Sequence, residues 1–197
     1  MTTMGAGFDD PVRGAQAVFR AILDAMARPG RIASLATDLA PPHPLLGTSA
    51  ALLLALADFE TTVWLDEPLT GVPSVGDYLR FHTGARIVSA SREADFAVIA
   101  APARMPLLTA FGQGTPEYPD RSTTVIIQID ALANQDWQFS GPGILDHVSF
   151  RASPLPADFP DQFAANRSRF PCGVDLVFVT TALIAALPRS TRIAENA

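Results

Sequence analysis

The chain reads as an α/β protein, a three-layer α/β/α arrangement around a mixed, mostly central sheet. Three observations lead there. Stretches with helical spacing of apolar residues alternate with short β-rich runs along the sequence. Several of those runs, above all TTVIIQI at Thr123–Ile129, are apolar on both faces, as strands covered from both sides require. The runs Val174–Val179 and Ile184–Leu187 are joined by a short turn over Thr180–Leu183, which makes a hairpin and therefore a mixed sheet. The 197 residues fit one domain spanning 1–197, since a domain takes roughly 100–200. Hydrophobic residues at 48% against charged residues at 17% allow a real core and rule out wholesale disorder.

Each element has its own local cause. Asp9 and Asp10 are N-cap candidates before Pro11, and Val12, Ala15, Phe19, Ile22, Leu23 and Met26 recur at helical spacing. Pro29-Gly30 stops that helix, whose apolar face must dock on a sheet or on another subunit. Ile32–Leu35 is a short extended piece, and Pro41-Pro42-His43-Pro44 is a stiff loop. Leu45–Ala57 is a helix apolar on most faces, hence deeply buried. Thr61–Leu65 is a strand, Pro73–Phe81 a helix closed by His82-Thr83-Gly84, and Arg86–Ser89 and Phe96–Ala100 are short strands. Pro102–Pro119 is a Pro/Gly-rich region with one short helix at Leu107–Phe111. After the strand at Thr123–Ile129 come a strand at Gln138–Ser140, the turn Gly141-Pro142-Gly143, a helix at Phe159–Asn166 and the closing hairpin. The tail Ala194–Ala197 is expected to fray.

Composition excludes several functions. The net charge is −6, which argues against a nucleic-acid or anionic-membrane binder but leaves room for a local basic pocket. All 14 basic residues are Arg. Without Lys the chain can form neither the Schiff base of a pyridoxal-phosphate enzyme nor a Walker-type phosphate loop. No cofactor is therefore expected. Cys172 is the single cysteine, so no intrachain disulfide forms and no Cys-based zinc site fits. Met1–Phe8 lacks the basic-then-apolar pattern of a signal peptide, and the longest apolar run, Ala50–Ala57, falls far short of the roughly 20 residues of a membrane span. A soluble, cytoplasmic protein is expected.

No catalytic set stands complete. His43, His82 and His147 lack HxxxH or HExxH spacing, there is no G-x-S-x-G elbow, and Gly112-Gln113-Gly114 fails as a dinucleotide fingerprint because Thr115-Pro116 follows. Asp58 ends an apolar helix and Asp175 opens an apolar strand, and a carboxylate near a core needs a partner. Arg189, at the end of the last strand, is a plausible one. His82 and Thr83 read as a helix terminus, where an imidazole favours the carbonyl end. Asp58, His82, Thr83, Asp175 and Arg189 are thus the candidate binding residues, each with a structural reading beside the functional one, as an ion pair or a cap. No catalytic residue and no metal ligand is assigned.

The order and spacing of several motifs resemble one family. They are FRAILDAMARPG (Phe19–Gly30), LADFETTVWL (Leu56–Leu65), YLRFHTGA (Tyr78–Ala85), GTPEYPDRSTTVIIQ (Gly114–Gln128), SGPGI (Ser140–Ile144), FPCGVDL (Phe170–Leu176) and ALPRSTRI (Ala186–Ile193). Together they are similar to the PhnH family of the bacterial carbon–phosphorus lyase system, from about Pro11 to Ile193. Cys172 stands where the family pattern leads one to expect Arg, and Ser190 where Thr is common. The resemblance implies a fold like that of the pyridoxal-phosphate-dependent transferases without the cofactor. It also implies a homodimer, and a place with subunits G, I and J in the complex that attaches an alkylphosphonate to the ribose C1 of ATP with loss of adenine. The implied role is an accessory subunit of that ribose 1-phosphonate 5-triphosphate synthase. On this reading the apolar face of the first helix and the Pro102–Pro119 segment are contact surfaces, so that deleting the latter costs assembly before folding. Two other readings stand beside it. One is a free-standing hydrolase or transferase using His82 with Asp58 or Asp175, and the other is a small-ligand sensor with an Arg-lined pocket.

Overall fold

The computed structural model describes residues 5–194, so all of the expected tail but Ala194 lies outside the described residues. Helix α1 (Pro11–Ala27) starts where the Asp10 side chain accepts the Arg13 N–H at 3.1 Å, a cap that stabilises by about 1 kcal/mol. It is followed by β1 (Ala33–Ser34), α2 (Gly47–Leu56), β2 (Thr62–Leu65), a one-turn α3 (Glu67–Thr70) and α4 (Pro73–Thr83). Gly84, at φ 76°, ends α4 in the left-handed conformation that glycine adopts without penalty. Next come β3 (Arg86–Val88), β4 (Phe96–Ile99), β5 (Thr124–Gln128), β6 (Ala131–Ser140), β7 (Val148–Ser153), α5 (Phe159–Ser168), β8 (Asp175–Val179), β9 (Leu183–Leu187) and β10 (Arg192–Ile193).

Seven strands form one sheet in the order β1-β9-β8-β5-β4-β2-β3. Strands β8, β5, β4, β2 and β3 run parallel, while β9 and β1 join antiparallel at one edge. The expected hairpin is thus present, and the sheet is mixed. Alternation along the central strands sorts side chains into two cores. Val98, Ile126, Val177 and Val179 meet Ile22, Leu52, Leu53, Tyr78 and Leu79 from α1, α2 and α4 on one face. Ile99, Val125, Ile127, Leu176 and Phe178 meet Phe139, Phe150, Phe159 and Phe163 on the other. Leu52 and Leu53 are fully buried, each adding about 2 kcal/mol of burial.

The second face corrects the three-layer α/β/α expectation. Among the described residues only α5 covers it as an α-helix. Most of the rest of that layer is a second sheet, β10-β6-β7, all antiparallel, joined by side chains of the 102–111 segment. Strand β6 is much longer than the expected Gln138–Ser140, and β7 and β10 carry no clear sequence signal. The cause is visible in β6: its register with β7 shifts between Ala133 and Trp137, and Asp136 has φ 64°, so the two-residue alternation is broken.

Two further expectations change. The face of α1 that meets the core is Val18, Ile22 and Ala25, whereas Val12, Phe19 and Leu23 are exposed. The helix therefore carries two apolar stripes, and the sequence pattern merged them. The Pro102–Pro119 segment is not a detachable contact arm, because Pro102, Met105, Leu108 and Phe111 are buried and the last three join the second core. Its deletion costs folding first. No helix of the described residues is long and apolar enough to cross a membrane.

Candidate functional site

The five parallel strands present their carboxyl ends along one edge of the sheet, and a cavity of about 570 Å³ opens there. Its polar lining comes from segments far apart in sequence: His43, Arg104, Gln128, Asp130, Thr180 and Thr181. The chain leaving β2 packs on the helical face through Leu69, Val75 and Leu79. The chain leaving β4, its neighbour, packs on the opposite face through Met105, Leu108 and Phe111. The two exits diverge beside the cavity, whose own lining follows β4, β5 and β8; in open α/β sheets ligands bind near the carboxyl ends of the strands, close to such a divergence.

Asp66 closes the base of this divergence. It follows β2 directly, is 6% exposed, and its Oδ2 accepts the N–H groups of Ala100 (2.7 Å) and Ala101 (2.8 Å), which line the cavity. Its Oδ1 is buried with no hydrogen-bond partner among the described residues. Burial raises the Asp66 carboxyl above its ordinary value. The N–H groups of Ala101, Ala100 and Leu69 and the positive charge of Arg104 act against that rise without cancelling it. Asp66 thus ties the exit of β4 to the end of β2, and so fixes the turn that carries Arg104. Gln128 does similar work across the cavity: its Oε1 accepts the Leu46 N–H at 2.7 Å, and its Nε2 donates to the Pro44 carbonyl at 2.9 Å. This satisfies an orphan donor at the start of α2, which has no side-chain cap. The Thr48 hydroxyl donates to the Thr180 carbonyl at 2.6 Å, fastening α2 to the turn after β8.

The residues singled out from sequence all lie at the opposite, amino-terminal edge of the parallel strands. Of the two acids, it is Asp175 that Arg189 meets. The Arg189 Nε donates to Asp175 Oδ1 at 3.1 Å, its Nη2 to Oδ2, its Nη1 to the Pro119 carbonyl, and its backbone N–H to Oδ1 at 2.8 Å. Both side chains are largely buried, at 13% and 15% exposure, beside a second cavity of about 520 Å³. Every Asp175 oxygen is engaged, so the pair pins the start of β8 to the end of β9. Asp58 is exposed rather than near a core. Its Oδ1 accepts the Glu60 N–H and the Thr61 hydroxyl, both at 2.9 Å, in a local turn. Thr83 donates to the Leu79 carbonyl at 2.7 Å and accepts the Ala85 N–H at 3.0 Å, finishing α4.

His82 is half-buried between the rings of Tyr78 and Phe81, with Nε2 2.9 Å from the Gly5 carbonyl. A carbonyl only accepts, so that nitrogen carries the proton. His82 precedes β3 while Asp175 opens β8, four strand positions away in the sheet, or roughly 19 Å at one strand spacing each. The structure does not bring this pair together, and neither Asp58 nor His82 hydrogen-bonds the other. Among the described residues no group of three or more His, Cys, Asp or Glu side chains is arranged to hold a metal ion.

Sequence reasoning missed Asp66 and Arg104. One signal was available for Asp66, an acid set immediately after an apolar strand. Arg104 had none, because its importance depends on strand order, which the sequence does not display.

The family model described as bacterial phosphonate metabolism protein (PhnH) matches residues 6–194. A protein of Rhizobium meliloti (strain 1021) named alpha-D-ribose 1-methylphosphonate 5-triphosphate synthase subunit PhnH is 42% identical over 187 residues, covering 94% of this chain and 93% of that one. A protein of Stutzerimonas stutzeri with the provisional name C-P lyase subunit protein HtxG is 33% identical over 181 residues, covering 90% and 85%. With the match running through both sheets and all five helices, the chain belongs to the PhnH family of bacterial phosphonate metabolism proteins.

Proposed function

We propose that this chain is an accessory subunit of the machinery that transfers an alkylphosphonate to the ribose C1 of ATP with release of adenine, in phosphonate catabolism. The observation that carries this is the 42% identity, over nearly the whole of both chains, to a protein named as a subunit of a ribose 1-methylphosphonate 5-triphosphate synthase. The second relative, named after carbon–phosphorus lyase, supports the same setting. The chain works as a homodimer, bound to carbon–phosphorus lyase subunits G, I and J in the cytoplasm. The five candidates at the amino edge are taken up in caps, turns and an ion pair, which suits a subunit that relies on its partners. Val12, Phe19 and Leu23, exposed along one side of α1, suit a contact surface between protomers or with a partner protein.

The parallel sheet with a cleft at its carboxyl edge supports kinship with the pyridoxal-phosphate-dependent transferases. With no Lys in the sequence, that cofactor has no amine to form a Schiff base, and the chain acts without it. Co-expression with subunits G, I and J tests the role. Co-purification of this chain with them, reduced by the double change Phe19→Ser with Leu23→Ser while the melting temperature holds, supports it. A complex that assembles and turns over fully without this chain overturns it.

A further inference from the structure

We propose that the carboxyl-edge cleft is a binding site for a phosphorylated sugar, with the phosphate held at Arg104 and His43 and the sugar hydroxyls at Asp130. The cleft lies over the carboxyl ends of β4, β5 and β8, and its volume of about 570 Å³ falls inside the range of small-molecule sites, about 300–1,000 Å³. Its charged side chains reach it from separate segments. Arg104 follows β4, Asp130 follows β5, and His43 comes from the loop before α2. Arg104, Asp130 and His43 take part in no ion pair among the described residues, although six other Arg side chains do. They are exposed at the mouth and open to a ligand.

The chemistry of the three groups selects the ligand. A guanidinium presents a planar fork of donors that matches phosphate or phosphonate oxygens, and an imidazole adds a further N–H. An ionised carboxylate only accepts, and vicinal sugar hydroxyls are the donors that suit it. A simple anion would leave Asp130 repelling it, whereas a sugar phosphate uses both signs of charge. The wall behind Arg104 is fixed by Asp66 through the Ala100 and Ala101 N–H groups, so the guanidinium is carried on a rigid turn. That the sugar is ribose rests on the functional reading above; the class of ligand rests on the cleft.

Calorimetric titration of the whole chain with ribose 5-phosphate, inorganic phosphate and ribose as separate probes tests this, both alone and in the assembled complex. Saturable binding of ribose 5-phosphate is expected, weakened at least tenfold by Arg104→Gln. Asp130→Asn is expected to weaken ribose 5-phosphate but not phosphate, and ribose alone not to saturate. Both variants replace exposed side chains and are expected to melt with the parent. The proposal is overturned if neither form binds ribose 5-phosphate, if both substitutions leave binding unchanged, or if phosphate binds as tightly as the sugar phosphate. Co-purification of Arg104→Gln with subunits G, I and J separates the two readings. A complex that forms with binding unaffected removes the site and spares the accessory role. Failure of the parent chain to co-purify removes the role, while the titration still decides the site.

Discussion

Replacing Asp66 tests the claim that one buried carboxylate holds the Ala100–Ala101 wall of the carboxyl-edge cleft. In Asp66→Ala the N–H groups of Ala100 and Ala101 lose their acceptor. Each unpaired buried donor costs about 1–3 kcal/mol. Both alanines are only half-buried, so water reaches them in part and the low end applies. Removing a desolvated carboxylate gives some of this back. The net loss is about 1–2 kcal/mol, a fall in melting temperature of about 2–8 °C for a chain of this size. In Asp66→Asn the amide oxygen still accepts both N–H groups and the charge is gone. The sign of the pH effect follows from linkage. Burial raises the folded-state value of this acid above its unfolded value. The folded protein therefore holds the proton longer, and stability falls as pH climbs from about 4 through the raised value, then levels off. Asp66→Asn is free of that loss, so its stability relative to the parent improves across the same window. Urea titrations from pH 3 to pH 7, followed by far-UV circular dichroism, measure both effects. Equal stability of the Ala and Asn variants, or an Asn-minus-parent difference that does not change with pH, would refute this account of the cleft wall.

Three further outcomes follow from particular contacts. Asp175→Ala strands the Arg189 guanidinium at 15% exposure and is expected to cost about 3–5 kcal/mol. The double change Asp175→Leu with Arg189→Met recovers much of that in the same urea assay. Gly143→Ala puts a Cβ on top of the Ala27 carbonyl oxygen at a residue with φ 82°, and is expected to lower the melting temperature by several degrees. Gly71→Ala, at φ −63° and with its nearest contact at 3.2 Å, is expected to lower it far less. Gln128→Leu abandons the Leu46 N–H and the Pro44 carbonyl, and is expected to cost about 2 kcal/mol and to speed hydrogen exchange at the start of α2.

The legible parts of this fold were those where a local cause and the tertiary outcome agree. Asp10-Pro11 and Gly84 mark helix ends by their own backbone chemistry, and both ends fall where the sequence puts them. TTVIIQI, β-branched at six of its seven positions, reads as a strand, and β5 lies at the centre of the large sheet. Helix α2, nearly free of polar residues, is buried as expected. The illegible parts depend on what packs where. Strands β6 and β7 alternate imperfectly because a register shift and Asp136 interrupt them. The core-facing side of α1 was blurred by the second stripe at Val12, Phe19 and Leu23, which periodicity cannot tell from the first. The cleft was hidden for a topological reason. Its polar residues follow three different strands and precede one helix, so only the strand order assembles them. Asp175 and Arg189 were findable because each borders a short apolar strand of the same hairpin.

The central claim is that this chain serves a phosphonate-processing assembly and does not act alone. Release of adenine from ATP in the presence of methylphosphonate measures it directly, with the purified chain by itself and with subunits G, I and J added. The account predicts no release from the chain alone, release from the full set, and loss of that release when this chain is left out. Sustained adenine release by the isolated chain, collapsing in His82→Ala, would contradict it.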